Sequence, residues 1–412
     1  MLVGNATKPT DENGDSLPVS VATIAALRAY PIPTTDGYPV NELGYYAAGD
    51  GGGQPFTWSA SSILDDDGGS VVAPNPLPPS GRWHRMAGPM SFAHFGAGLR
   101  NGSADDTARC NAAINAAFRT TGPAEATIRM QRGVYPVTGI DLFATGGYGL
   151  RIEGQGSGNS IFTHWGSGTG PILSLADDHD VHLESFGVQG TGKSGIGIKT
   201  TNGRFTAKHL TVSACDEALV SDGGVCFNFE HCVFSANARA LHFLGTGNAT
   251  TLSAFKDCGF YANDVVALFD KGDGITAYHC DFEGNAAGIT VGPNFSSQTT
   301  FSRLTFDKCW WESNSGDILT STDGGATYFT FRDCDFYNNW TGGKVSITGT
   351  LARVTMDNIR LLNRLEVTGD QTRIHLAQSF IYSWNLAVTN SHVTIDGCQT
   401  LHNLNPSALV ET

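Results

Sequence analysis

Charged residues are scarce in this chain of 412 residues, and basic residues are the scarcest. Asp, Glu, Lys and Arg make up 16% of the chain, and 25 Lys and Arg face 39 Asp and Glu, which gives a formal net charge of −14. This balance argues against a nucleic-acid-binding surface, which needs a basic footprint. No apolar run reaches the ~18 residues of a membrane-spanning helix. Residues 1–18 lack the basic and apolar regions of a secretory signal, so none is expected.

The nine cysteines lack the spacings of cysteine chemistry. No Cys-x-x-Cys pair occurs, which argues against a zinc site or a thioredoxin-like centre. An odd count without a secretory context does not indicate a disulfide framework. The Gly-x-Ser-x-Gly elbow of serine esterases is also absent. The acidic stretch 177–180 is interpreted as a turn, so we predict neither a metal nor a cofactor.

Gly187–Ser194 fits the P-loop pattern, with Lys193 as its lysine. A P-loop holds phosphates at the N-terminus of the helix that follows it. Residues 195–203 are rich in glycine and do not predict a helix. We therefore expect no nucleotide binding.

What the cysteines do show is a repeat. Each copy has Cys, an aromatic residue two positions on and Asn five positions on. The five copies are Cys232–Asn237, Cys258–Asn263, Cys280–Asn285, Cys309–Asn314 and Cys334–Asn339, and a weaker copy keeps only the ends Cys398 and Asn403. The strong copies start 26, 22, 29 and 25 residues apart. An aromatic residue usually precedes the cysteine by three positions, except in the third copy, where Tyr278 precedes it by two.

This repeat predicts a solenoid of short strands. Cys and the aromatic residue share one face of a strand, because side chains alternate with period two. The aromatic residue three before the cysteine has the wrong parity for the same straight strand, so a corner must lie between them. A unit of about 25 residues buries its apolar face only by stacking on its neighbours. The cysteines, aromatics and asparagines should then form three ladders with a ~4.8 Å repeat, with Asn tolerating a left-handed corner.

The repeat resembles that of right-handed parallel β-helix proteins, the pectate-lyase-like superfamily. The pieces Ser20–Leu27, Leu43–Asp50 and Gly81–Trp83 resemble, in that order, the segment that phage tailspike and tail-fibre proteins place before a β-helix. Phe95–Ala97, Asn101–Gly102 and Asp105–Thr107 resemble the start of such a β-helix, and a helix capped by Ser103 and running to Arg119 should cover its open end. The fold expected is all-β, a right-handed single-stranded parallel β-helix with a small N-terminal domain and one capping helix.

The chain then divides into four parts. Residues 1–18 are expected to be a flexible arm and residues 19–90 an attachment-type segment. A short helix is expected in Ser20–Tyr30 and a strand pair in Leu43–Trp58. Residues 91–400 are expected to form the β-helix, and residues 401–412 a C-terminal tail.

The outward positions of the repeat predict a site. If Cys and Cys+2 point inward, Cys+1 and Cys+3 point outward, which gives four carboxylates and three aromatics on adjacent rungs. The predicted catalytic residues are Glu283, Glu312, Asp281 and Asp335, and the predicted substrate-binding residues are Trp310, Tyr261, Tyr337 and the nearby Trp340. Stacked like charges destabilise a sheet, whereas flat aromatic faces and paired carboxylates suit glycan binding and hydrolysis. An ordinary solvated face remains the alternative.

The resemblance implies a homotrimeric virion tailspike that binds, and is expected to hydrolyse, a bacterial capsule or O-antigen polysaccharide. The expected partners are that polysaccharide, two further copies of the chain, and a phage tail or baseplate protein at the N-terminal region. The expected location is the virion tail, after assembly in the bacterial cytoplasm. Two alternatives stay open: a non-catalytic tail or adhesin component, and a polysaccharide lyase. The lyase is disfavoured because no outward Asp–Arg set is evident on adjacent rungs.

Overall fold

A small mixed sheet precedes a long right-handed parallel β-helix in the computed structural model. The structure describes residues 19–121, 125–142, 149–176, 180–201, 203–244, 250–292, 302–322, 327–337, 343–349 and 351–403. The expected arm, residues 1–18, lies outside this set, so the division of the chain at residues 18, 90 and 400 stays a prediction. Within these ranges, no helix has the length and apolar character needed to cross a membrane. The predicted all-β solenoid is confirmed.

The N-terminal sheet has five strands and buries its own core. The strands are Val19–Val21, Pro39–Glu42, Gln54–Ser59, Val71–Val72 and Arg82–Arg85. Trp58 and Trp83 pair across this sheet and meet edge to face, with ring centroids 5.1 Å apart. The helix expected in Ser20–Tyr30 is the short α-helix Ile24–Arg28, which is capped by the Thr23 hydroxyl. The strand expected to open at Leu43 ends at Glu42 instead, because the glycine-rich loop of residues 43–53 starts there.

Each full rung of the β-helix has three faces. Face A is one sheet, whose strands are Met90–Ser91, Ala126–Arg129, Gly149–Glu153, Asp180–Glu184, Gly203–Lys208, Gly224–Glu230, Thr250–Thr251, Ala254–Lys256, Gly272–Asp273, Ile275–Tyr278, Ser302–Asp307, Thr327–Arg332, Arg353–Asp357, Arg373–Ala377 and His392–Asp396. Within the β-helix, the pairings are parallel and join equivalent strands of successive rungs.

Faces B and C follow face A around the rung. The strands of face B are Gly133–Val137, Ser160–His164, Gly187–Gln189, Thr211–Ser213, Val233–Ser235, Gly259–Tyr261, Asp281–Glu283, Trp310–Glu312 and Asp335–Tyr337. The strands of face C are Ile140–Asp141, Pro171–Ala176, Ile196–Thr201, Glu217–Ser221, Arg239–Phe243, Val265–Phe269, Ala287–Val291, Leu319–Ser321 and Val345–Thr348. In the last rungs the two faces join in the bent strands Arg360–Asp370, Phe380–Thr389 and Gln399–Asn403.

The predicted cysteine and aromatic ladders are present and buried. Cys232, Cys258, Cys280, Cys309 and Cys334 are each 1–2% exposed, and none forms a disulfide. The aromatic residues two positions on stack face to face, as Phe260 and Phe282 do with centroids 4.9 Å apart and planes 7° apart. The thiols donate to backbone carbonyl oxygens; the Cys258 Sγ, for example, donates to the Lys256 carbonyl oxygen at 3.3 Å. The cysteine therefore acts as a small buried hydrophobe whose weak donor is satisfied.

Asparagine forms the third ladder through its side-chain amide. Asn237, Asn263, Asn285 and Asn314 are at most 3% exposed. The Nδ2 atoms of Asn237, Asn263 and Asn285 each donate to the Asn Oδ1 of the next rung at 3.0 Å, and that Oδ1 also accepts the backbone N–H of the preceding Asn at 2.9–3.1 Å. The stack thus satisfies buried backbone groups at the corner between faces B and C, where they would otherwise be unpaired.

The left-handed residue at each corner is not the one predicted. It precedes Asn rather than being Asn, as at Ala236, Ala262 and Ser313 with φ 52–55°. The corner between faces A and B likewise has a left-handed residue just before the cysteine, such as His231 or His279. The corner predicted between the aromatic residue three before the cysteine and the cysteine itself is therefore confirmed. In the third copy, Ala277 takes the buried position three before the cysteine, and Tyr278 points outward.

The capping helix spans Thr107–Thr121 and so starts after Ser103. The Ser103 hydroxyl donates to the Arg100 carbonyl instead of capping, and the Asp105 carboxylate accepts the Thr107 N–H at 2.9 Å. The predicted apolar face is largely correct: Cys110, Ile114 and Ala117 are fully buried against the first rungs, and Phe118 is partly buried.

The cysteine ladder should be needed for its volume and not for its thiol chemistry. Cys258→Ser should lower the free energy of unfolding by about 1–2 kcal/mol, because a hydroxyl replaces a thiol in an apolar stack. Cys258→Arg should not fold, because it places a charge there. Cys226→Ser, at an exposed cysteine, is the control and should be nearly neutral. A large loss of stability of the unmutated protein in reducing agent would show that disulfides hold the fold.

The asparagine ladder should contribute more to the free energy of unfolding than the cysteine ladder does. Asn285→Ala removes the acceptor of two Asn263 donors and should cost about 2–4 kcal/mol by chemical denaturation, since each unsatisfied buried group costs about 1–3 kcal/mol. Asn285→Asp keeps the acceptor oxygen. Its second carboxylate oxygen replaces the Nδ2 donor, however, and faces two acceptors, the Asn314 Oδ1 and the Phe260 carbonyl oxygen. Its buried carboxyl should have a raised pKa, so this variant should regain stability as the pH falls through that pKa. Asn41→Ala, at an exposed position, is the control. Equal stability of all three variants would contradict the ladder's role.

Candidate functional site

The face B strands present an outward column that we call the outer ladder. Each strand has three residues, with the middle one buried in the aromatic stack. The outer ladder comprises Val233, Ser235, Gly259, Tyr261, Asp281, Glu283, Trp310, Glu312, Asp335 and Tyr337. The register places Glu283 directly beside Glu312, and Trp310 between Asp281 and Asp335. The structure therefore brings together seven of the eight predicted site residues. Trp340 lies outside the described residues.

Asp281 is a partly buried carboxylate of the outer ladder. Its Oδ2 accepts the Tyr261 hydroxyl at 3.1 Å, while its Oδ1 is buried without a hydrogen-bond partner among the described residues. Burial raises the pKa of Asp281; the Tyr261 hydrogen bond opposes this, and the Glu312 charge adds to it, so the pKa stays above its ordinary value. Burial and the neighbouring Asp281 raise the pKa of Tyr261 to about 12, so the phenol stays a donor. Asp281 thus has the property needed of a general acid.

Trp310 and Glu312 form the second unit of the outer ladder. The indole Nε1 donates to the Glu312 Oε2 at 3.0 Å, which orients the carboxylate. The Trp310 ring is 40% exposed and lies 5.9 Å from the Tyr337 ring, which is 47% exposed. Two exposed aromatic faces beside carboxylates suit the apolar and polar sides of a sugar ring.

Asp335 has a cationic neighbour that the sequence reading did not identify. Arg360 pairs with Asp335 in register on the next rung, and its guanidinium lies 3.4 Å from the Asp335 Oδ2. The expectation that no acid–Arg set lies on adjacent rungs was therefore wrong. It failed because the Cys motif is lost in that rung, where Ile359 occupies the cysteine position.

Left-handed corner residues complete a depression along the outer ladder. A depression of about 480 Å³ is lined by His279, Cys280, Asp281, Lys308, Cys309, Trp310, Asp333 and Asp335. A second, of about 420 Å³, continues it over earlier rungs and shares His279 and Asp281. The His279 Nδ1 lies 2.6 Å from the Asp257 Oδ1. His279, Lys308 and Asp333 were not predicted, although they all occupy the position just before a repeat cysteine.

Face C carries a separate polar cluster of Glu217, Arg239, His242 and Asp270. The His242 Nδ1 lies 2.6 Å from the Glu217 Oε1, and the Arg239 guanidinium binds the same oxygen. The Asp270 Oδ2 lies 3.4 Å from the other His242 nitrogen. Burial raises the pKa of Glu217, but His242 and Arg239 outweigh it and lower that pKa. The acidic and basic side chains thus pair with one another within the cluster, which is typical of a structural network, although the buried Arg239 Nε has no hydrogen-bond partner among the described residues.

The P-loop match does not have P-loop geometry. Lys193 is a left-handed residue, and the strand Ile196–Thr201 follows it where a P-loop has a helix. Its Nζ pairs with the Asp264 Oδ1 at 2.5 Å. In the described part of the chain, no group of three or more His, Cys, Asp or Glu is arranged to hold a metal ion, and residues 177–179 of the acidic stretch lie outside that part.

Two segments of the chain match known protein families. Residues 20–88 match the family described as the phage tail protein small four-stranded beta-sheet domain. Residues 194–363 match the family described as the right handed beta helix region. The predicted resemblances to a phage tail segment and to right-handed β-helix proteins are thereby confirmed. A search of curated proteins finds no match.

Solved tailspike structures share the fold. The Acinetobacter phage vB_ApiP_P1 tailspike protein has a TM-score of 0.63 and 16% identity, over 93% of this chain and 72% of that one. The tailspike protein gp49 from Acinetobacter baumannii bacteriophage Fri1, a capsular polysaccharide depolymerase, has a TM-score of 0.62 and 14% identity, over 93% and 74%. The gp42 tailspike of Acinetobacter phage vb_AbaP_AS12 has a TM-score of 0.63 and 16% identity, over 96% and 78%. At these identities the likeness shows the fold alone.

Lys193→Ala should leave nucleotide response and glycan binding unchanged. The Lys193–Asp264 pair is exposed, so its loss should change the free energy of unfolding by less than about 1 kcal/mol. Thermal unfolding with and without ATP and Mg²⁺ checks the absence of a nucleotide site, because a ligand that binds the folded state raises the melting temperature. A rise of several degrees that disappears in Lys193→Ala would contradict this reading.

Proposed function

We propose that the protein is a phage tailspike that binds a bacterial surface polysaccharide and hydrolyses it in the groove along the outer ladder. The observation that carries the proposal is the convergence of Asp281, Glu312, Trp310 and Tyr337 on three adjacent rungs. The tail-type N-terminal sheet and the depolymerase of similar fold support it. The polysaccharide would be a capsule or an O-antigen.

The outer ladder supplies the groups that glycoside hydrolysis needs. Asp281, whose pKa is raised, would protonate the leaving oxygen, and Glu312, oriented by Trp310, would activate water or act as the nucleophile. Adjacent rungs are ~4.8 Å apart. Glu283 and Glu312 then suit the ~5 Å separation of a retaining enzyme, whereas Asp281 and Glu312, one rung and two residues apart, suit the ~6.5–9.5 Å of an inverting one. Our proposal favours Asp281 and Glu312, because Asp281 combines partial burial with an unpaired oxygen and a raised pKa, and the Trp310 indole orients Glu312.

The assembly is part of the same proposal. We propose a homotrimer in the virion tail, joined to a tail or baseplate protein through the N-terminal sheet. Assembly in the bacterial cytoplasm agrees with nine cysteines without disulfides.

A lyase is the second candidate, and the Asp335–Arg360 pair favours it. A polysaccharide lyase would need a base and a cation near a uronate, and Arg360 could supply the positive charge at the edge of the groove. A lyase product absorbs in the ultraviolet because it is an unsaturated uronate, whereas a hydrolase product has only a new reducing end.

Purified protein tested on bacterial lawns and capsule extracts should release reducing ends without ultraviolet absorbance. Asp281→Asn and Glu312→Gln keep shape, remove the charge, and should each cut turnover by a factor of roughly 10² or more. Trp310→Ala should weaken glycan binding instead, since it removes an exposed ring. Asn228→Ala, at a solvent-facing position on face A, is the control. Full turnover in both carboxylate variants would place catalysis elsewhere.

The pKa of Asp281 should shift in opposite directions in two variants. Tyr261→Phe removes a hydrogen bond to the charged form, so the pKa should rise; Glu312→Gln removes a repelling charge, so it should fall. Because a general acid must be protonated, activity is lost as the pH rises through this pKa, and the alkaline limb of the pH profile should move up in Tyr261→Phe. Carboxyl-carbon NMR titration measures the pKa in both variants independently of activity. Shifts of the same sign in both would show that these neighbours do not control Asp281.

A further inference from the structure

A buried carboxyl group without a hydrogen-bond partner lies at the end of the strand Pro39–Glu42 in the N-terminal sheet. Glu42 is 3% exposed, and neither of its carboxyl oxygens has a hydrogen-bond partner among the described residues. It shares the inner face of the sheet with Val40 and Phe56, which belong to the apolar core. A buried carboxylate that is ionised and unpaired is costly, so this group needs an explanation.

A second unpartnered oxygen lies opposite the first. Glu42 pairs with Gln54 in antiparallel register on the inner face, where the Cβ atoms of such neighbours are ~4.5–5.5 Å apart. The Gln54 amide nitrogen donates to the Gly69 carbonyl oxygen at 2.7 Å, whereas its Oε1 is buried without a partner. Both residues are satisfied if Glu42 carries a proton and donates it to the Gln54 Oε1.

No cation among the described residues pairs with Glu42 in place of a proton. The neighbouring strands Val19–Val21 and Gln54–Ser59 carry no titratable group. Burial raises the pKa of Glu42 to about 8; the Asp50 charge adds to this, and the dipole of the Gln54 backbone N–H opposes it in part. The titratable and charged groups on the other elements around it are Tyr45, Tyr46 and Asp50 on the loop of residues 43–53, His94 at the start of the β-helix, Asp67, which binds Arg119, and Arg28, which binds Asp66.

Glu42 lies at the base of a loop that docks on the β-helix, the loop of residues 43–53. Asp50 organises this loop, because its carboxylate accepts four backbone N–H groups at 2.7–3.0 Å, those of Tyr45, Tyr46, Ala47 and Gly52. The Gln131 amide, which follows the first full strand of face A, donates to the Gly51 carbonyl oxygen of the loop at 2.7 Å. A negative charge on Glu42 would therefore arise beside the ionised Asp50, at the base of this contact.

We infer that Glu42 is a proton-dependent switch between the N-terminal sheet and the β-helix, in which the neutral acid holds Gln54 and its ionisation releases loop 43–53 from Gln131. The proton passes to solvent, and the charge left behind is repelled by Asp50. The switch concerns the joining of the two parts of the chain and does not depend on the proposed function.

The direction of the pH dependence follows from the two states. In the released state Glu42 is solvated and has its ordinary pKa of 4.5, whereas in the closed state its pKa is about 8. The closed state therefore holds one more proton between these values. Closure is fully favoured below pH 4.5, becomes weaker as the pH rises, and reaches its lowest value above pH 8.

Hydrogen–deuterium exchange of the full chain, read by mass spectrometry from pH 6 to pH 9, tests the switch. Glu42→Gln keeps the shape and a donor to Gln54 but cannot ionise. The exchange rate of loop 43–53 in the unmutated protein, divided by that in Glu42→Gln at the same pH, should rise about tenfold per pH unit and level off above pH 8. Asp65→Asn, at an exposed acid of the same sheet domain, is the control and should behave as the unmutated protein.

Infrared difference spectroscopy gives a second measurement that does not depend on opening of the loop. At pH 6 the spectrum of the unmutated protein minus that of Glu42→Gln should contain the carbonyl band of a buried neutral carboxylic acid. The band should disappear as the pH rises through about 8. Glu42→Met, which replaces the acid by an apolar side chain of similar length, is the reference in both experiments if Glu42→Gln does not fold.

Four results would overturn the inference. The first two are a rate ratio that does not change with pH and the absence of a neutral-acid band at pH 6. The third is an equal rise in exchange over the β-helix strand Ser302–Asp307, which would show unfolding of the whole chain instead of release of the loop. The fourth is protection of the loop at pH 9 by added Na⁺ or Ca²⁺ at constant ionic strength, which would assign the Glu42 and Gln54 oxygens to a cation site.

Discussion

The rest of the structure depends on the stacking of equivalent residues from rung to rung. A rung of about 25 residues has no core of its own, so its cysteine, aromatic ring and asparagine are buried only by the rungs above and below. The asparagine amides are the most directional part of this stack, because each one joins two rungs and satisfies a backbone N–H. A shift of one residue in register would break this ladder and turn the inward side chains outward.

The same stacking determines what the surface can do. Side chains that alternate with the buried ladders must form outward ladders with the same short repeat, so that similar chemistry accumulates along a line. On face B this places carboxylates beside one another and beside exposed rings. Such a line costs stability through repulsion, and the partial burial of Asp281 adds to the cost. A linear arrangement of this kind is suited to a linear polymer, which can contact several rungs at once.

The corners supply the remaining groups of the groove. The residues before the cysteines are left-handed without being glycine, with φ near 50° at Asp257, His279 and Lys308. This conformation costs about 1–2 kcal/mol at an ordinary residue. It directs polar side chains to the edge of the outer ladder, where they line the depressions. Glycine there would remove the strain and also the side chain.

The sequence by itself determined the ladders and the parity of the corners, because both follow from local alternation and a repeat of three residue types. It therefore predicted that Asp281, Glu283, Trp310, Glu312, Asp335 and Tyr337 share one line. The predicted start of the capping helix was wrong. Serine is a common N-cap residue, but the Ser103 hydroxyl donates to the Arg100 carbonyl oxygen instead. Only the tertiary structure decided that Tyr261 and Glu312 act on Asp281 and that Arg360 reaches Asp335. Those relations join different rungs through particular side-chain rotamers and register, which depend on loops of variable length and cannot be obtained from the pattern of any one repeat.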